Sequence, residues 1–504
     1  MTSIRGQQSV EGLLVDWSVA QPLPDRRLPV SMLTRAQKAA ELQRVVSARA
    51  MAAAYEAELV LGLADDSPDT LDPPPGHPGA RKGSWAADTE LPGVSEFFPA
   101  ELAVVLNCGR GTAAHLAHRA WVYRESLPAT WAALSEGVLD EARAKVLVDV
   151  LAHTAPAIAR VIESRLLPEA AGLSIGRLRA RALALLLERD AAAIDGRRKA
   201  AQRQADVRVY PASREGMATL AAELPAEEAA EGFDLIDQLA RMVKADGDPR
   251  PIGQLRAEVF SRLIRRPADP GLPAATAHVT VTAALDALEG SSNTPGSVAG
   301  LPITATHVRD LLQRIGALGL RAPEGGSLGF ALTDPDGRLL ATATPAQLER
   351  LARRGCRDHP GRECACAVLD RPPPTGAYEP TAAQHAFVTT RDRACRFPTC
   401  GQRVGWTDRD HVLPHADGGE TDCANLCCLC RSHHRLKTHA RGWRFTMDDD
   451  GTLTVTTPSE VTRTTRPPGM RPPSGTRPPP DTDPPDTDAP ISAGLPPDDD
   501  PPPF

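Results

Sequence analysis

Residues 391–445, RDRACRFPTCGQRVGWTDRDHVLPHADGGETDCANLCCLCRSHHRLKTHARGWRF, hold the densest set of side chains in this chain that could do chemistry. Cys395 and Cys400 have four residues between them, and Cys430 and His433 follow as a Cys-x-x-His pair. Two close pairs of soft or borderline donors can surround one ion tetrahedrally, so the spacing predicts a structural zinc. Cys427-x-x-Cys430 is itself a ligand spacing and could replace the later pair; the Cys430/His433 pair is preferred because it starts the helix that must present His434. Asp410, His411, Asn425 and His434 are not needed by that zinc. A carboxylate and an imidazole can hold a divalent cation while a second imidazole, near neutral in pKa, takes a proton from water. Those are the groups that hydrolysis of a phosphodiester requires. Gly418 and Gly419 predict a sharp reversal with backbone room beside a phosphate. A plainer reading competes throughout: a zinc knuckle that only binds DNA or protein, an Asp-His surface pair, and an Asn that serves as a turn or cap residue.

Nine of the ten cysteines fall between Cys356 and Cys430, close to histidines, which reads as metal ligation in a reducing compartment and not as a disulfide framework. Cys356, His359, Cys364 and Cys366 form a Cys-x-x-His followed by Cys-x-Cys, and predict a second structural zinc, the alternative being a loop of free thiols. Cys423, Cys427 and Cys428 are left without a role, and Cys108 reads as a small buried residue.

The order Cys-x4-Cys, Asp-His, Gly-Gly, Asn-Leu, Cys-x-x-His-His resembles an HNH endonuclease domain, the ββα-metal or His-Me finger fold. The resemblance implies that His411 is the general base that activates water. It implies that Asp410 and His434 hold a catalytic divalent ion such as Mg2+, that Asn425 fixes the loop and the orientation of His411, and that His439 adds a further ligand. DNA is the expected partner, with Arg409, Arg431, Arg435 and Lys437 as phosphate contacts. The chain departs from the commonest pattern at His433, where many members carry Cys, and at Arg409, where an apolar residue is more usual before Asp410.

These groups need elements to position them. At 504 residues with 4% aromatics, the chain predicts several domains, mainly helical, because Ala, Leu and Arg dominate its first half. Residues 1–33 read as an irregular N-terminus. A helix is expected from Thr34 to Leu63, with Leu42, Val45, Val46, Ala50, Ala53, Ala57 and Val60 on its apolar face. Successive helices follow from Ser95 to Gln204; two of them, around Asn107, are compatible with a helix-turn-helix in which Arg110, His115 and Arg119 read DNA, or with plain core. Periodicity then shifts to a mixed α/β middle region. Strands are expected at Val207–Pro211 and around Met217–Leu224, a helix at Ala226–Ala245 bearing Phe233, Leu235, Ile236, Leu239 and Met242, and a hairpin about the turn Asp334–Gly337. Residues 35–350, with the segments LPATWAALSEG and DGDPRPIGQLRAEVF, resemble the DUF222 or 13E12 repeat family that precedes HNH motifs in actinobacterial proteins. That likeness implies no catalytic residue upstream. The expected organisation is an upstream region over 34–350, a Cys/His-rich linker over 351–380, the HNH-like domain over 381–457 and a disordered Pro/Asp-rich tail over 458–504.

The formal net charge of −7 argues against a uniformly basic nucleic-acid binder, yet Arg and Lys outnumber Asp and Glu around the Cys/His segment while the tail is acidic. No stretch is long and apolar enough to span a bilayer, so no membrane is expected and the chain reads as cytoplasmic. The leading expectation is a metal-dependent endonuclease; its rivals are a catalytically inactive, zinc-stabilised DNA-binding protein and an interaction scaffold.

Overall fold

The computed structural model describes residues 29–77, 79–80, 91–203, 205–265, 281–299, 301–314, 327–334, 336–354, 359, 369–402 and 407–471. Its first half is a bundle of α1 (Arg35–Asp65), α2 (Phe98–Leu106), α3 (Arg110–Glu125), α4 (Pro128–Ser135), α5 (Glu141–Leu151), α6 (Pro156–Ala170) and α7 (Ile175–Arg203). Thr34 starts α1 with a capping box: Gln37 N donates to Thr34 Oγ1 at 3.3 Å and Thr34 N donates to Gln37 Oε1 at 2.9 Å. Along α1 the buried face is Ala50, Ala54, Ala57, Val60 and Ala64, side chains small enough to let neighbouring helices approach closely. Leu42, Val45 and Val46, expected on that face, are instead exposed, Leu42 to 67%. Helical periodicity identifies a stripe and not what covers it, and the first buried residue of α1 is Ala50. Deeper in the bundle the carboxylate of Glu163 on α6 is buried and accepts from Thr130 N at 2.6 Å, a cap for the first turn of α4 supplied by another helix.

The middle region is mixed, as its periodicity predicts. An antiparallel ribbon of β1 (Val207–Pro211) and β2 (Ala218–Ala222) precedes the helix pair α8 (Ala226–Ala245) and α9 (Ile252–Arg265). A three-stranded antiparallel sheet follows, β3 (Val281–Thr282), β4 (Gly296–Val298) and β5 (Leu301–Ile303), with helices α10 (Leu285–Glu289) and α11 (Ala305–Arg314). The hairpin of β6 (Phe330–Thr333) and β7 (Leu339–Ala343) turns at Gly337, whose φ of 82° is one that glycine adopts without strain. Helix α12 (Pro345–Arg354) ends the region. Of the apolar set expected on α8, Phe233, Leu235 and Met242 are exposed and Ile236 and Leu239 are half-buried. The buried residues of that helix are Asp237 and Ala240, and Asp237 is clamped by Arg241 at 2.7 Å and Arg256 at 2.6 Å.

The C-terminal region is built from α13 (Ala382–Asp392), the antiparallel pair β8 (Thr407–His411) and β9 (Leu426–Cys430), α14 (Arg431–His439), and a meander of β10 (Arg444–Met447), β11 (Leu453–Thr456) and β12 (Thr462–Thr465). Strand β9, Leu-Cys-Cys-Leu-Cys, is buried on both faces. Leu426 and Cys428 join Leu339, Phe387, Val388 and Cys423, while Cys427 and Leu429 join Phe397, Val412, Leu436, Leu453 and Val455. The cysteines left without a role therefore act as small apolar side chains. The tail expected to be disordered from Pro458 is ordered through 471, and its remainder lies outside the described residues. Threonines pair across the strands, with Thr456 Oγ1 and Thr462 Oγ1 3.0 Å apart, and Arg463 donates to the carbonyls of Val104 and Val105, so β12 is held without apolar residues.

Helix α2 belongs to two cores at once. Phe98, Leu102 and Ala103 pack into the bundle, while Ala100 and Val104, with Phe97 just before the helix, pack into the C-terminal cluster beside Cys395 and Phe397. Among the described residues, no helix is long and apolar enough to cross a membrane.

Candidate metal centre and the neighbouring carboxylate and histidine cluster

The ligand atoms of Cys395, Cys400, Cys430 and His433 all lie within 4.8 Å of one another. The loop after α13 supplies the first two, the end of β9 supplies Cys430, and the first turn of α14 supplies His433. His433 turns Nδ1 inward, 3.2 Å from Cys430 Sγ and 3.5 Å from Cys395 Sγ, and Phe397 fixes its plane by stacking at 3.9 Å and 5°. Hydrogen bonds from Cys395 and Cys400 pull the Cys430 thiol far below its usual range, and contacts with Cys400 and Cys430 push Cys395 far above it. Cys400 is drawn down by Cys395 but pushed up by Cys430 and by burial, to about 11. Three crowded sulfurs with a buried imidazole nitrogen aimed among them fit one tetrahedral cation, and the donor set is consistent with zinc. Cys427, the alternative ligand, is fully buried in β9 opposite Asp410 and is not part of this group. Of the second expected cluster, His359 is among the described residues, and Cys356, Cys364 and Cys366 lie outside them.

Beside the metal centre, strand alternation turns Asp408 and Asp410 of β8 toward α14. His434 bridges them, with Nδ1 2.8 Å from Asp408 Oδ2 and Nε2 3.5 Å from Asp410 Oδ1. Lys437, one turn further along, places Nζ 3.1 Å from Asp410 Oδ2. His411 ends β8 and is buried; its Nε2 is 2.8 Å from Thr421 Oγ1, its ring stacks on Tyr378 at 5.4 Å, and His415 meets it edge-on at 5.7 Å. Burial lowers the His411 pKa, and nearby His415 and Lys437 lower it further against the opposing pull of Asp410, so the imidazole stays neutral to lower pH than a free one.

Asn425 closes the loop between these elements. It accepts from Leu413 N at 2.8 Å and donates to Leu413 O at 3.0 Å and Glu420 O at 2.9 Å. Gly419 is required there, because a Cβ would stand 2.0 Å from Leu413 O and 2.8 Å from Asn425 Nδ2. His439 is not brought to Asp410 or His434 by any hydrogen bond; its ring lies against Gly79, near enough that a Cβ on that glycine would overlap it.

The cations expected at phosphates are engaged within the fold. Arg435 donates to Glu96 at 2.8 and 3.0 Å and to Gly79 O at 2.6 Å, and lies over the Phe97 ring. The Lys437 side chain is only 6% exposed beside Asp410. Arg409 donates to Thr407 O and Thr389 Oγ1, so the strand position before Asp410 is half-buried under α13. Arg431 alone of the four keeps a largely exposed side chain, 68%, with Nη1 3.6 Å from Asp408. Arg110, the first residue of α3, is within electrostatic reach of Cys400 and Cys430, whereas Arg119 pairs with Glu141 at 3.5 Å.

Asp408, Thr421, Tyr378 and Glu96 escape a reading of motifs. Asp408 had a signal, since residues two apart on a strand share a face. Glu96 had none, because it meets Arg435 across 339 residues of chain.

Residues 39–315 match the family described as "Domain of unknown function (DUF222)". The chain belongs to the DUF222 family. The match lies within the 35–350 stretch expected from sequence and covers the bundle from α1 onward, the β1–β2 ribbon, α8, α9 and the β3–β5 sheet with α11. "Uncharacterized protein Rv3776" of Mycobacterium tuberculosis is 48% identical over 90 residues, which are 18% of this chain and 17% of that protein. "Uncharacterized protein Rv2100" of the same species is 44% identical over 90 residues, 18% of this chain and 16% of that one. The matched stretch thus spans less than a fifth of these relatives' length. No solved structure matches. The metal centre lies downstream of the matched DUF222 residues, yet Phe97, Ala100 and Val104 of the DUF222 region line its core.

Proposed function

We propose that this DUF222 protein is a metal-dependent endonuclease that hydrolyses phosphodiester bonds in DNA, with zinc held by Cys395, Cys400, Cys430 and His433 as a structural ion. One observation carries the reading: β8, β9 and α14 run strand, strand, helix from a Cys3His cluster, and they bring His434 Nε2 within 3.5 Å of Asp410 Oδ1 with His411 next in the chain. Asp410 and His434 would hold a divalent ion such as Mg2+, which when bound supplies positive charge to the phosphoryl oxygens. Asp408 bonds the far nitrogen of His434 and so fixes the ring with Nε2 toward Asp410. His411, kept neutral by burial, takes the proton of a water whose oxygen forms the new bond to phosphorus, while the P–O bond opposite breaks and its electron pair departs on the leaving oxygen. Asn425 acts through the 412–425 loop, which it ties at both ends.

A second reading is favoured by the Lys437–Asp410 pair, which already neutralises the carboxylate. In it the zinc-stabilised domain binds DNA or a protein without cutting. Purified full chain incubated with supercoiled plasmid and a series of Mg2+, Mn2+, Ni2+ and Zn2+ decides between them. Cleavage by the wild type that is lost in His411→Ala supports the nuclease. Equal cleavage by both points to a contaminant, and salt-dependent DNA binding without cleavage supports the second reading.

A further inference from the structure

We infer that Thr421 is the positioning residue of His411: it sets which imidazole nitrogen is free to take a proton, and it thereby rests on the nuclease reading for its consequence, though not for its geometry. The Thr421 side chain is fully buried. Its backbone is pinned, since Thr421 O accepts from Gln384 Nε2 at 2.7 Å and from Thr375 N at 3.1 Å. Gln384 is itself fixed in the capping box that starts α13, so the hydroxyl is presented from a rigid base.

Thr421 Oγ1 has one proton and two lone pairs. Tyr378 O, 3.4 Å away, can only accept that proton, and Oγ1 also lies 2.8 Å from His411 Nε2, a contact whose direction goes with the tautomer of the ring. With its proton given to a carbonyl, Oγ1 accepts at the shorter contact, so His411 carries hydrogen on Nε2. The lone pair of the neutral ring is then on Nδ1, the nitrogen able to receive a proton. Tyr378 contributes twice, through the carbonyl that orients the hydroxyl and through the ring that stacks on His411 at 5.4 Å and 21°.

Asn425 has a different task. Its amide bonds go to Leu413 and Glu420, so it shapes the loop, whereas Thr421 is what the imidazole itself touches. Removing the hydroxyl while keeping the side-chain shape should therefore free the ring to change tautomer without displacing the loop.

The test uses the full, zinc-loaded chain with 15N-labelled histidine, the His411 resonance being assigned by its loss in His411→Ala. The expected result is the Nε2–H tautomer in the wild type and in Thr421→Ser, lost or mixed in Thr421→Val. In plasmid cleavage, Thr421→Val should lower kcat about 10–100-fold with KM changed less than about twofold, and Thr421→Ser should recover most of kcat. An Nδ1–H tautomer in the wild type overturns the inference without any variant, so a Thr421→Val chain that fails to fold does not protect it. A Thr421→Val protein that cuts like the wild type also overturns it. If the tautomers behave as expected but the wild type does not cut, the positioning of His411 stands and the nuclease reading fails.

Discussion

The C-terminal region and the α8–α9 pair both hold carboxylates between two arginines, and they place those groups differently. The C-terminal region buries one cluster of charges whose members bond one another and the backbone. Arg391, Asp392 and Arg396 are all buried: Asp392 accepts from Arg391 at 2.7 Å, from Arg396 at 3.1 Å and from Cys428 N at 2.8 Å, while Arg391 donates onward to Cys423 O and Leu426 O. Together with the Cys3His cluster, this network ties α13, β9 and β12 into one body. The α8–α9 pair has comparable ion pairs, Arg250 with Asp248 at 2.6 Å and the buried Asp237 between Arg241 and Arg256, but their arginines reach solvent, and Phe233 and Met242 are exposed. A small region can combine a buried, mutually bonded charge cluster with a metal in place of part of a core, whereas ion pairs whose arginines reach solvent stabilise little.

The largest effect should come from the metal. Chelation, or Cys430→Ser, is expected to unfold residues 369–471 while the α1–α7 bundle keeps its helical signal, because structural zinc sites contribute on the order of 10 kcal/mol to the folding of small domains. Limited proteolysis before and after chelation would check this. A bundle that collapses together with the C-terminal region would show that the shared helix α2 couples the two more tightly than the metal separates them. Next in size, Asp392→Ala leaves two buried guanidinium groups uncompensated and should cost about 3–5 kcal/mol in urea unfolding. Asp237→Ala in α8 is the matched control and should shift the midpoint much less, since Arg241 can turn to water.

What could be read from the chain divides along the same line. The Cys-x4-Cys and Cys-x-x-His pairs were legible because the coordination sphere of one ion fixes their spacing, and the limits of β1 and α8 and the presence of the β6–β7 hairpin were legible from period and turn residues. Burial was not. Leu42 and Phe233 fall on correctly identified stripes, but nothing local tells whether another element covers them. Strand β12 was read as disordered because Thr and Arg give no apolar alternation, although cross-strand threonines and the carbonyls of α2 hold it in place. Around the candidate site, Asp410, His411, Asn425 and His434 stand in a recognisable order, whereas Thr421 and Glu96 reach the site only through tertiary folding.

A smaller effect tests the open side of the comparison. Phe233→Ser and Met242→Ser should each change the stability of the isolated chain by no more than about 0.5 kcal/mol, as surface substitutions do. A loss of about 2 kcal/mol or more in either would mean that the exposed face of α8 is covered in solution, and the contrast with the C-terminal region would have to be redrawn.

The smallest effect separates the bundle from both. His118 on α3 stacks on His153 at 5.6 Å with both its own nitrogens buried and without a hydrogen bond. Burial first, then His153 and His115, hold its pKa below the ordinary value of 6.5. The unfolded chain therefore binds a proton at this residue near pH 6.5 while the folded chain does not, so its contribution is present above that pH and is lost as pH falls through the lowered, folded-state value. Amide exchange in α3 should accelerate between pH 7.5 and 5.5 beyond the intrinsic pH dependence, and less so in His118→Gln, with exchange in α13 changing equally in both proteins. Equal acceleration of α3 in the two proteins would remove His118 from the acid response and place that response in the C-terminal region, where the metal ligands compete for the same protons.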